Sequence, residues 1–123
     1  MLLCTVTVMG QNALDDAIND FKAVGEAEFS SVVERDPQTH QILRVVKKLE
    51  VEGKAAAELV KLFKEEAAKA DKTFEKEKID HYIRSFTEIK GKQTRIYSIE
   101  YEGYDKFIRE AELTIIIKNE KEE

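Results

Sequence analysis

The chain has 123 residues, of which 42% are hydrophobic and 37% charged, with one proline, five glycines and no tryptophan. That balance excludes a disordered composition, and the length suits one domain that buries roughly two-thirds of its unfolded surface without staples. A net charge of −5 argues against a nucleic-acid backbone as partner, no run reaches the ~20 apolar residues of a membrane span, and a single cysteine, Cys4, excludes an intramolecular disulfide and a cysteine-built zinc site.

Met1–Gly10 reads MLLCTVTVMG, with no acidic or basic side chain, and Gln11 opens a strongly polar stretch. Val8 and Gly10, three residues and one residue before Gln11, meet the small-residue rule of signal peptidase. Residues 1–10 therefore read as a signal-peptide remnant that lacks its basic start, with the mature, cysteine-free chain beginning at Gln11. The same residues also alternate as a strand does, with Leu3, Thr5, Thr7 and Met9 against Leu2, Cys4, Val6 and Val8. An unstructured end is a third reading. Lipid attachment at Cys4 is disfavoured by the bulky Leu3 before it.

Helix 1 follows. Asn12 is placed to cap it, with Asp15 three residues on, and Leu14, Ala17, Ile18, Phe21 and Val24 recur at helical spacing up to Gly25. A hairpin comes next. Ala27, Phe29, Ser31 and Val33 alternate with Glu28, Ser30, Val32 and Glu34, and Asp36-Pro37-Gln38-Thr39 turns the chain into a second alternating run over Leu43–Val51. Gly53 separates this from helix 2, Lys54 to Lys72, whose apolar stripe is Ala56, Leu59, Val60, Phe63, Ala67 and Ala70; Glu65 and Lys69 are spaced to pair on its outer face.

Residues 73–78 (TFEKEK) read as a charged connector. Three further strands are expected at about 79–89, 94–101 and 107–118, with turns at Lys90–Gln93 and Glu102–Asp105, before the charged tail 119–123. The expected architecture is α+β, in the order α-β-β-α-β-β-β. Residues 11–118 form one domain, with both helices on one face of a five-stranded antiparallel sheet.

A two-residue turn at Gly91-Lys92 pairs Glu88 with Arg95, Phe86 with Tyr97, Arg84 with Ile99 and Tyr82 with Tyr101. Tyr97, Ile99 and Tyr101 carry more apolar area than the alternating set, so the aromatic face is expected to meet the helices. Phe107, Ala111, Leu113, Ile115 and Ile117 are expected to point the same way. Arg84 and Arg109 fit that face least well, and each needs a carboxylate or a route to the rim. The opposite face presents Ile83, Thr87, Ile89, Thr94, Ile96 and Ser98. It is a candidate docking platform for a protein or peptide, although an ordinary solvated sheet has the same composition.

No phosphate loop, nucleophile elbow or calcium-loop spacing occurs, so no catalytic residue, cofactor or metal site is expected. His81 beside Asp80 is no dyad, since neighbouring strand residues point to opposite faces. The basic hairpin of Arg84, Lys90, Lys92 and Arg95, beside Tyr97, reads as a solvated turn and not as a nucleic-acid site. A small-ligand or enzyme site between helix 2 and the sheet would draw on Arg84, Tyr97 or Arg109. A cytosolic adaptor or immunity-type protein is a third reading, and it requires the first residues to form a true strand.

The stretch VVERDPQTHQILRVVKKLEVEGKAAAELVKLFKEE, residues 32–66, following a signal-like start and a helix, resembles small exported proteins of Bacteroides-type gut bacteria that carry domains of unknown function. The resemblance implies an envelope or extracellular setting and transfers no catalytic residue. In architecture alone, helices on an antiparallel sheet also resemble periplasmic inhibitor-like and PepSY-like modules.

Overall fold

A computed structural model of the chain describes residues 13–21, 27–70, 72–103 and 107–120. Helix α1 spans Ala13–Phe21 and α2 Gly53–Ala67. The strands are β1 Glu28–Arg35, β2 Ile42–Glu52, β3 Thr73–Lys78, β4 His81–Lys90, β5 Gln93–Glu102 and β6 Glu110–Asn119. The α+β architecture with two helices and an antiparallel sheet is as expected, but the sheet has six strands, in the order β1-β2-β6-β5-β4-β3. The extra strand is the supposed connector. Its charges are compatible with a strand because β3 lies at the sheet edge and every one of its residues is exposed. The predicted signal remnant, the Asn12 cap, Val24 and Gly25 lie outside the described residues.

The hairpin β4–β5 has the predicted register, including Glu88 opposite Arg95, Phe86 opposite Tyr97 and Tyr82 opposite Tyr101. Two of these pairs stack, with ring centroids 4.9 Å apart for Phe86–Tyr97 and 5.1 Å for Tyr82–Tyr101. Gly91 supplies the positive φ that so tight a turn needs. In the first turn, Asp36 is buried because its Oδ1 accepts the backbone N–H groups of Gln38 and Thr39.

The aromatic face is the core. Tyr97, Ile99, Leu113, Ile115 and Leu49 are buried against Leu59, Val60 and Phe63 of α2 and Leu14, Ala17 and Ile18 of α1. Each large side chain so buried contributes about 1.5–3 kcal/mol. Phe63 reaches the sheet at Phe86, 5.2 Å between centroids. Two expectations need correction here. Phe107 is 79% exposed, because β6 begins only at Glu110 and Ile108 takes the buried place before it. Helix 2 ends at Ala67, short of Lys72, and Lys69 pairs with Glu66, not Glu65. Glu66 also accepts the Ala13 N–H, which ties α2 to the start of α1.

Candidate functional site: the open face of the sheet

Alternation along six strands decides what the face away from the two helices displays. Read across the strands, it is banded. One row runs Val32, Val46, Ile116, Ile96 over β1, β2, β6 and β5 and meets Thr87 on β4. Neighbouring strands stand about 4.8 Å apart, so these four β-branched side chains form one unbroken apolar strip. The row beside it holds four small hydroxyl side chains and one cation: Ser30, Lys48, Thr114, Ser98 and Ser85. Beyond that lie two acidic rows. Glu28, Glu50, Glu112 and Glu100 stand abreast on four strands, followed by Glu52, Glu110, Glu102 and His81. On the other side of the apolar strip come Glu34, Arg44, Lys118, Thr94 and Ile89.

The acidic rows line a concavity of about 320 Å³ that holds seven glutamates and His81. Like charges directly opposite each other are unfavourable. Part of the strain is relieved within the face. A hydrogen bond donated by the Glu50 carboxyl to Glu112, with burial and Glu112's charge as lesser causes, pushes Glu50 above its ordinary value. His81 Nε2 lies 2.6 Å from Glu100, and its Nδ1 lies 3.7 Å from Glu102. Arg109 binds Asp80 and reaches Glu102 at 3.8 Å. The carboxylates are spread in rows and do not converge. Among the described residues no group of three or more His, Cys, Asp or Glu side chains is placed to hold a metal ion.

All six predicted docking residues lie on this face, on β4 and β5. Ile96 belongs to the apolar strip, Thr87 ends it, Ser98 lies in the hydroxyl row, and Ile83 continues the line of Glu100. Thr94 and Ile89 pair at the far end, where Ile89 is 75% exposed. The contributions of β1, β2 and β6 were missed, because they depend on β6 lying between β2 and β5. A signal for the acidic rows was present in the repeated Glu-x-Glu at Glu50–Glu52, Glu100–Glu102 and Glu110–Glu112.

The three residues considered for a ligand site are not brought together. Tyr97 is fully buried and donates to Asp15 at 3.0 Å; burial, reinforced by Asp15, raises its pKa and keeps it a neutral donor. Arg95 joins the same carboxylate at 3.3 Å, so Asp15 anchors α1 to the sheet and is not confined to a capping role. Arg84 is held by Glu75 and by the Tyr101 hydroxyl. Arg109 stands apart at Asp80, where it lines a shallow depression with Glu52–Ala55 and Phe107–Ile108 that neither Arg84 nor Tyr97 reaches. Among the described residues no helix is long and apolar enough to cross a membrane.

Comparison with protein families places a match over residues 11–117, to a model described as a domain of unknown function, DUF5024. Comparison with curated proteins and with solved structures finds no match.

Proposed function

The chain belongs to the DUF5024 family of unknown function, and from that premise we propose that it is a non-enzymatic binding module that engages a protein or peptide through the open face of its sheet. The supporting observation is the unbroken strip Val32–Val46–Ile116–Ile96 beside the glutamate rows. A solvated sheet face needs only scattered apolar side chains, whereas a contiguous strip next to a strongly charged tier is what a docking surface requires. The strip supplies affinity by burial. The glutamates select a partner segment that brings lysine or arginine alongside its apolar residues. Export of the module is part of the same reading and rests on the uncharged, apolar run Met1–Gly10 ahead of Gln11.

Selection from a displayed library of random peptides tests the docking, with amide chemical-shift mapping of each bound peptide. The expected peptides combine apolar and basic residues, shift the amides of β2, β5 and β6, and lose binding in Ile116→Arg. Peptides that map to the helix side, or that bind Ile116→Arg unchanged, sink this reading. Export is tested separately by the intact mass of the natural protein from fractionated cells. Full-length protein in the cytosol overturns that part alone.

A further inference from the structure

The two edges of the sheet are built differently. Edge strand β3 has four consecutive charged residues, Glu75, Lys76, Glu77 and Lys78, the usual way of blocking pairing with another chain. Edge strand β1 has five consecutive uncharged residues, Phe29 to Val33. Its Phe29, Val32 and Val33 are 37%, 64% and 46% exposed. Val32 points to the open face and the other two to the helix side; among the described residues the helices pack mainly over β2, β5 and β6, and every residue of β1 is exposed. The irregularity at this end of the sheet places the extra residue, Leu43, on β2, so β1 itself runs unbroken to Arg35.

We propose that β1 is a dimerisation edge, at which two copies of this chain pair antiparallel about a two-fold axis at Val32 and join their sheets into one. Cross-strand partners share a face, so the axis must pass through a residue. An axis at Val32 sets Val32 opposite its copy, Ser31 opposite Val33, Ser30 opposite Glu34 and Phe29 opposite Arg35. Within β1 this places no like charges opposite each other; just past its end Glu28 falls opposite Asp36, a buried carboxylate that already accepts the Gln38 and Thr39 N–H groups. An axis at Ser31 sets Glu28 against Glu34, and one at Val33 brings Pro37 against Phe29 and shortens the ladder.

The charge pattern fits the same register. Each chain carries a net charge of −5, with its glutamate rows at the Glu28 end of β1. Antiparallel pairing moves the two acidic ends to opposite corners of the joined sheet. The Glu28 residues of the two copies then stand about 26 Å apart, from a rise of roughly 3.3 Å per residue. The apolar strip also runs to the edge at Val32, and the axis makes it continuous across both copies.

Sedimentation of the full chain over a range of concentrations tests this pairing. The expected result is a reversible dimer. Val32→Lys, which sets like charges together on the axis, raises the dissociation constant about 10-fold or more with the far-UV circular dichroism unchanged. An equal mixture of Val32→Lys and Val32→Glu restores the dimer. Nitroxide labels on Glu28→Cys, in a Cys4→Ser background, report a separation near 26 Å. A monomer at every concentration, a dimer indifferent to Val32→Lys, or labels at a clearly different distance overturns the proposal. Because Val32 also belongs to the apolar strip, the dimer is read by sedimentation and label distance alone, and Ile116→Arg, away from the edge, remains the separate test of peptide binding.

Discussion

Glu50 stands between Glu28 on one side and Glu112 on the other, on an exposed part of the sheet. Its hydrogen bond with Glu112 raises its pKa in the folded state. A carboxyl raised on folding binds its proton more tightly in the folded chain, so folding is penalised above the folded pKa. The penalty disappears as pH falls below the unfolded value. Glu50→Gln is therefore expected to stabilise the protein at neutral pH by about 0.5 kcal/mol, a modest figure because solvent screens the pair. The gain should vanish below the ordinary carboxylate range, which urea denaturation at two pH values will check. Gly103 has the opposite sensitivity. It holds φ at +114°, and an added Cβ would lie 2.2 Å from the carbonyl oxygen of Phe107. Gly103→Ala is expected to cost about 2 kcal/mol or more, read as a lowered denaturation midpoint.

At the level of elements, β3 departs most from the sequence reading. TFEKEK lacks the alternation of a half-buried strand because neither of its faces is buried. Pairing with β4 opposite Phe86–His81 holds it in place, a long-range contact that local pattern does not report. An edge strand bonds on one side only, so hydrogen exchange should show alternate amides of residues 73–78 protected and the intervening ones open. Uniformly fast exchange would return the segment to a connector. By contrast the β4–β5 register was legible, since a two-residue turn with Gly at positive φ fixes every pair that follows. Helix 2 was legible in its buried stripe but not in its end, because the alanines beyond Ala67 carry no stop signal.

Across the whole molecule, the charge is distributed by strand order. The helix side neutralises its misfits locally, Arg95 with Asp15 and Arg84 with Glu75. The open face leaves four glutamates abreast, with Lys48 in the neighbouring row and His81, Lys76 and Lys78 at the β4–β3 side. Repulsion among exposed charges is screened by salt. Raising sodium chloride from about 0.01 M to 0.15 M should therefore increase the melting temperature by about 2 °C, measurable by calorimetry. The same change should weaken any basic peptide bound to the face. A melting temperature that falls with salt would mean that the cross-strand ion pairs outweigh the repulsion.

Composition and periodicity alone determined the fold class, both helices, the two hairpin turns and which face of β4 and β5 is buried. These depend on residues close in sequence: an apolar stripe, an alternation, a glycine or a proline where φ demands it. The tertiary structure decided that β6 inserts between β2 and β5, that β3 completes the edge, and that Arg84, Tyr97 and Arg109 go to separate partners. Strand order is set by burial summed over the whole sheet, which no window of sequence contains. The apolar strip and the glutamate rows exist only across strands, so Ile96 and Ser98 could be named in advance, whereas Val32, Val46, Ile116 and the glutamates abreast of one another could not.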